Sequence, residues 1–252
     1  MSQPDPTFPP LLTGHDVSGG ISPFKTACDR AREGKLGAGD VVWSRNTSYV
    51  DLAIILEPEV PLATALQMIP LAMVACGDCL GAVTPAQVGV TFHWPMSIRV
   101  NGGRLGGFRA AVGNNGIKPD DIPDWLVIAL SLRLRHDVRE PEPGHNPDIT
   151  ALEEEGCPKL TRSELIESYT RHFMTWLNNW QDDGFRPVHA AWLFRTDELN
   201  EEISVSIGDE TFRGIFVGLD ETGNLLLKSD DGQTKSLFLI ETLDSMDRFQ
   251  KT

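Results

Sequence analysis

Cationic side chains are scarce here. Twenty-two Lys and Arg stand against 36 Asp and Glu, a formal net charge of −14 over 252 residues. Neutralising a phosphate backbone takes clustered Lys and Arg, so this balance argues against a nucleic-acid partner. It disfavours an anionic membrane surface on the same ground. The one basic stretch, SLRLRHDVR at 131–139, reads as a solvated strand end. The opening MSQPDPTFPPLLTG has neither a basic n-region nor a continuous apolar core, so no signal peptide is expected. No apolar run is expected to reach the ~18–20 residues that cross a bilayer, which makes a cytoplasmic location the default. Cysteine is sparse: Cys28, Cys76, Cys79 and Cys157. A structural zinc would want a second close pair beside the CGDC of Cys76 and Cys79, and none exists, so no metal site is expected. Those two thiols close the long apolar run PLATALQMIPLAMVACGDCLGAV and are expected to be buried on a helix. Self-similarity at a 20–50-residue period is missing, which excludes solenoids and propellers. So is a GxxxxGK[ST] loop, so any ATP site must be of another kind.

What is present suits a folded protein: 40% hydrophobic residues with 23 Gly and 17 Pro. That length accommodates one large domain, or a large one with a small one. Residues 1–22 read as an extended arm, and 29–45 as a charged helical stretch passing through Gly37 and Gly39 into a strand. SYVDLAIILEP is a buried strand ended by Pro58, followed by an apolar helix at 61–80. QVGVTFHW, SIRVNGGRLGGFRAAV and DWLVIALSLRLR are further strands, and the acidic EPEPGHNPD is a surface connection. LTRSELIESYTRHFMTWLNNWQDDGF is an amphipathic helix. Thr161 and Glu164 form a capping box, and Leu165, Tyr169, Phe173, Trp176 or Leu177, and Trp180 make a core-facing stripe. Gly184 closes it in a left-handed conformation. After about residue 199 the pattern changes to short alternating strands broken by Gly-Asp, Glu-Thr-Gly-Asn and Asp-Asp-Gly turns, the signature of a small barrel. The expected division is a mixed domain over 1–198 and a small β domain over 199–252.

The segment TFHWPMSIRVNGGRLGG at 91–107 raises the functional question. Asn101-Gly102 is a strong hairpin signal, because both turn positions want positive φ. Alone, the segment reads as a plain hairpin. In context, His93-Trp94-Pro95-Met96-Ser97, Asn101-Gly102 and Leu105-Gly106-Gly107-Phe108 resemble the Lys-Trp-Pro-Asn-Asp strand, hairpin and Leu-Ala-Gly-Ile strand of the biotin/lipoate protein ligases. Gly34 to Gly39 with Trp43-Ser44 resembles that family's Gly/Arg-rich loop ending in Trp. Thr150 to Glu154 resembles its Thr-Ser-Leu acidic stretch, and Gly218 to Asn224 with Leu225–Leu227 resembles its C-terminal Gly-Ile-Asp pattern. The resemblance keeps its order over roughly 25–245 and is similar to poorly characterised alphaproteobacterial members.

The resemblance implies an α+β fold: a class II synthetase-like, biotin-ligase-like mixed sheet with flanking helices, plus a small SH3-like β-barrel. It implies a reaction in which ATP adenylates a small carboxylic acid, biotin or lipoate, with Mg²⁺, before transfer to the lysine of a carrier domain. It places catalytic roles on His93 and Lys35, with Arg104 as a third catalytic candidate that would replace missing charge. Substrate and nucleotide contacts fall to Gly37, Gly39, Trp43, Ser44, Trp94, Ser97, Asn101, Gly106 and Gly107, with the sheet surface between the Trp43 and Trp94 segments as the cradle. Three departures stand out: the strand lysine is replaced by His93, the following acid by Ser97, and the loop arginines are missing, leaving Arg32, Lys35 and Arg45. A histidine is mostly neutral at pH 7. Losing one preorganised donor costs on the order of 3 kcal/mol. Arg104 and Arg109 are candidates to restore charge. A catalytically impaired binding protein of the same fold is therefore the alternative reading.

Overall fold

The computed structural model describes residues 4–113, 116–136 and 148–243. Seven strands carry the larger part of the chain: β1 (Thr13–Val17), β2 (Asp40–Ser44), β3 (Tyr49–Leu56), β4 (Val90–His93), β5 (Ser97–Val100), β6 (Gly103–Val112) and β7 (Leu126–Arg133). They form one mixed sheet in the order β1-β2-β3-β7-β6-β5-β4. β1 runs parallel to β2, and the remaining pairs are antiparallel. The central pair, YVDLAIIL against LVIALSLR, is almost continuously apolar because both faces of the sheet are covered. Asn101 and Gly102 have φ of 48° and 88°, both positive as the β5–β6 turn requires.

Two layers of helix cover the sheet. On one face lies α1 (Pro23–Arg32), with Phe24, Ala27, Cys28 and Ala31 against Val42, Ala53, Ile55, Ala111 and Val127. The other face holds α2 (Leu62–Ala65), α3 (Met68–Val83), α4 (Arg162–Asp183) and α5 (Arg186–Phe194), which share the main core. The α4 start is the expected capping box, with Thr161 Oγ1 accepting from the Glu164 amide while the Glu164 carboxylate accepts from Thr161 N–H. Leu165, Tyr169 and Phe173 are buried. Trp176 and Trp180 are partly buried and donate their indole N–H groups to Asp78 and Gln67, at 2.7 Å each. Gly184 ends the helix at φ 71°.

The structure corrects several expectations. The N-terminal arm contains a paired strand, β1, because it finds the free edge of β2. The helix at 61–80 is broken into α2 and α3 around Leu66-Gln67. α5 was not anticipated; its burial rests on only Val188 and Trp192, too few for a visible stripe. By length and composition Leu62–Val83 is apolar enough to cross a bilayer, contrary to the expectation that no run qualifies, but 78% of its most apolar window is buried inside the protein. The connection at 140–147 and residues 137–139 of the basic stretch lie outside the described residues.

The C-terminal part folds as a four-stranded antiparallel sheet in the order β11-β10-β9-β8, from β8 (Glu202–Ile207), β9 (Glu210–Leu219), β10 (Leu225–Lys228) and β11 (Thr234–Leu237). The turn between β9 and β10 is organised by Asp220, whose carboxylate accepts from Thr222 and Asn224 backbone and side-chain groups. That turn docks on the larger sheet: Trp94 Nε1 donates to the Gly223 carbonyl at 3.1 Å, and Gln67 Nε2 to the Glu221 carbonyl at 2.9 Å.

Candidate functional site

The register of the large sheet aligns a row of polar and small residues. Asp51 of β3 stands opposite Ser131 of β7, Ser131 opposite Gly107 of β6, Gly107 opposite Ser97 of β5, and Ser97 opposite His93 of β4. Directly opposed residues present their side chains on the same side of a sheet. The row therefore crosses the face that carries α1, below the point where that helix begins. Ser22 starts α1 by accepting from the Lys25 amide at 3.3 Å, and Pro23 occupies the first turn, where a missing N–H does no harm. Because the helix covers only the far half of the sheet, the near half is left as a cavity of about 350 Å³. Gly19 to Phe24 form its roof, and Ser44, Asn46, Asp51, Gly107, Arg109, Ala129 and Ser131 lie among its remaining lining residues.

Within this cavity Ser131 donates to Asp51 Oδ1 at 2.5 Å. Burial pushes the Asp51 carboxyl above its ordinary value, and the Ser131 hydrogen bond opposes that shift. Ser44 Oγ accepts from the Asn46 amide, and Asn46 Oδ1 accepts from the amides of Ser48 and Tyr49. The Arg109 guanidinium lies over the Phe24 ring, 4.5 Å from its centroid, at the helix end of the cavity.

The anticipated site residues divide. Ser44 and Gly107 line the cavity, and Ser97 and His93 continue the same row beyond Gly107. His93 stands two strands from Gly107, roughly 10 Å by strand spacing. Its ring is held between two carboxylates of the segment after α5, with Nδ1 2.8 Å from Glu198 and Nε2 3.1 Å from Asp197. The Asp197 contact is not aligned as a hydrogen bond, which leaves Nε2 buried without one. Arg104 is exposed and paired with Arg99, beyond a register shift in the β5–β6 ladder. Gly107 has a local reason to be glycine: a Cβ there would fall 2.3 Å from the Met96 carbonyl oxygen. Gly106 is equally confined, with a Cβ reaching 2.0 Å from the Ser131 carbonyl oxygen. Asn101 holds the hairpin, accepting from Gly89 N–H and donating to Glu155.

The rest lie elsewhere. Lys35, Gly37 and Gly39 precede β2 and sit at the end of that strand opposite Ser44, so they do not reach the cavity. Lys35 pairs with Glu33 at 2.8 Å, and Gly37 N–H caps Asp40. Trp43 is buried with the opposite parity to Ser44, its ring flanked by Arg45 and Arg162 at 5.1 and 5.0 Å. Trp94 is committed to the Gly223 turn. Arg45 is held by Asp5 and Asp16, which raise its already high pKa, and Arg32 contacts Asp29. Sequence reasoning passed over Gly19, Gly20, Ser22, Asn46, Asp51 and Ser131. One signal was available: Asp51 is the single acid inside an apolar strand, and Ser131 interrupts the strand beside it.

The four cysteines are free and buried. Burial raises the Cys79 thiol to about 11 and pushes Cys76 well above its ordinary value, which leaves neither as a nucleophile near pH 7.

Comparison with known proteins agrees with this fold. Residues 8–194 match the Biotin/lipoate A/B protein ligase family, and residues 199–245 match the Biotin protein ligase C terminal domain. A biotin–[acetyl-CoA-carboxylase] ligase of Paracoccus denitrificans is 27% identical over 180 residues, covering 71% of this chain and 74% of that protein. A biotin protein ligase-like protein of unknown function from Silicibacter sp. TM1040 is 36% identical, with a TM-score of 0.84 over 95% of this chain and 99% of that one. The biotin protein ligase of Aquifex aeolicus, solved in complex with biotin and ATP, shares the fold at 16% identity and a TM-score of 0.68, covering 90% of this chain and 95% of that one. With most of its length matched in family order, and with the family's mixed sheet and C-terminal sheet both present, the chain belongs to the biotin/lipoate A/B protein ligase family.

Proposed function

We propose that this protein binds a small carboxylic acid in the cavity beneath α1, adenylates it with ATP, and passes the acyl group to a lysine of a carrier domain. The observation that carries this reading is the cavity itself, lying where the polar row of a family-type sheet meets the start of α1. In the first step a carboxylate oxygen of the acid attacks the α-phosphorus of ATP and pyrophosphate leaves. In the second, a lysine amine attacks the acyl carbonyl, AMP leaves, and the amine loses a proton to solvent. Charge builds on the α-phosphate in the first step, and fixed donors and cations stabilise it. Arg109 is the cation that lines the cavity. Biotin or lipoate is the acid that family membership suggests. Mg²⁺ is the metal that family membership suggests would accompany the nucleotide.

A second reading is favoured by one feature: His93, at the position where the family carries its strand lysine, is occupied by Glu198 and Asp197. A protein so arranged would retain the pocket as a binder without the chemistry. Acid-dependent exchange of labelled pyrophosphate into ATP separates the two. Exchange with biotin or lipoate, reduced on the order of 10²-fold by Arg109→Ala, supports the ligase. Acid-induced thermal stabilisation without exchange supports the binder.

A further inference from the structure

The floor of the cavity carries a carboxylate that the ligase reaction does not use. We propose that Asp51, supported by Ser131, is a specificity-determining residue that selects an acid whose far end bears N–H donors and rejects acids with a plain acyl end. This inference rests on reading the cavity as the acid site.

Asp51 is the single acid in β3, and it lines the cavity half-buried. An ionised carboxylate offers about four acceptor positions. The Ser131 hydroxyl fills one, and among the described residues no cation pairs with Asp51. The neighbouring acceptors already hold backbone amides: Ser22 Oγ that of Lys25, Ser44 Oγ that of Asn46, and Asn46 Oδ1 those of Ser48 and Tyr49. Asp51 is the one carboxylate among the lining residues, with more acceptor capacity left for a ligand than any lining hydroxyl. Burial also pushes its carboxyl above its ordinary value, so further donors to the ionised form would be favourable.

An alkyl or dithiolane end placed against Asp51 would strip its remaining water and return no hydrogen bond. Sites built to hydrogen-bond a ligand reject analogues lacking the group far more strongly than apolar pockets reject an extra methylene. An ammonium or the N–H edge of a cyclic urea would instead donate to the free carboxylate oxygen. The dimensions allow this orientation. Arg109 and Asp51 lie on strands separated by β7, about 10 Å apart across the sheet, so an acid of six to ten atoms could set its carboxylate toward Arg109 and its far end on Asp51.

The test is calorimetric titration of the full chain with four acids: biotin (cyclic urea), 6-aminohexanoate (ammonium), lipoate and octanoate (no N–H). At least one N–H-bearing acid is expected to bind about tenfold or more tighter than both lipoate and octanoate. Whether that acid is biotin or 6-aminohexanoate identifies the donor. Asp51→Leu is expected to abolish the preference and strengthen octanoate binding. Asp51→Asn, nearly isosteric and safe for folding, is expected to weaken the preferred acid several-fold while leaving octanoate unchanged. Equal or tighter binding of lipoate or octanoate, unchanged selectivity in both variants, or no binding of any of the four overturns the proposal. Pyrophosphate exchange driven equally by octanoate would keep the ligase reading and remove this one. Asp51-dependent selectivity without exchange would do the opposite.

Discussion

Two residues, Asp51 and Cys79, show how environment assigns role. Burial raises the pKa of both, yet Asp51 is half-buried beside a cavity and keeps acceptor capacity, whereas Cys79 is sealed between α3 and α4 with its thiol toward the Leu165 carbonyl. A thiol raised to about 11 stays protonated across the neutral range. The folded state holds that proton more tightly than an unfolded chain, whose thiol titrates near 9.0. The associated stability is therefore complete below about pH 9 and is lost as pH rises toward 11, amounting to roughly 3 kcal/mol for a shift of about two units. Two measurements follow. Thiol labelling of the native protein at pH 8 should be at least about a hundredfold slower than in denaturant, and melting temperature should fall between pH 9 and 11. Rapid native labelling of Cys76 and Cys79 would contradict their burial.

At the scale of elements, α4 was legible in the sequence almost to the residue. Its start, stripe and stop are each local signals, namely Thr161 with Glu164, Leu165-Tyr169-Phe173, and Gly184. Thr161→Ala should remove the cap and lower stability by about 1 kcal/mol, measured by denaturant unfolding. No change would show that the box is not formed in solution. The hairpin at Asn101-Gly102 was legible for the same reason, since positive φ at two successive positions is written in residue type. The site was only half legible. Its floor is part of a row drawn from five strands and fixed by register, and register is not a local property. Glycines are ambiguous in a related way. Gly37 and Gly39 look like a phosphate-approach loop; they shape a turn at the end of β2 away from Ser44, while the quieter Gly19-Gly20 pair lines the cavity. Composition told that backbone was needed close to something, but not to what.

In the whole molecule, the smaller sheet is joined to the rest through α5, whose Trp192 meets Phe216 edge-on and whose His189 lies 2.9 Å from the Leu219 carbonyl, and through the β9–β10 turn. Trp94 and Gln67 of the larger unit donate to consecutive parts of the Asp220–Asn224 turn, so the expected Trp-Pro motif acts as a clamp between units. The proposed boundary near residue 199 falls just beyond the Asp197-Glu198 pair that grips His93. Trp94→Phe keeps the ring and loses the Gly223 hydrogen bond, which should cost about 1 kcal/mol in denaturant unfolding. A stability equal to wild type would mean that the clamp is packing alone.

The most direct test of the account is a crystal structure of the protein with a non-hydrolysable biotinyl-adenylate analogue. The account predicts the biotinyl group between Gly19–Phe24 and the sheet, its ring within hydrogen-bond reach of Asp51 and its acyl end toward Arg109. Density for the acyl group in the separate apolar cavity of about 510 Å³ bordered by Leu11, Leu56, Phe173 and Trp180 would contradict it.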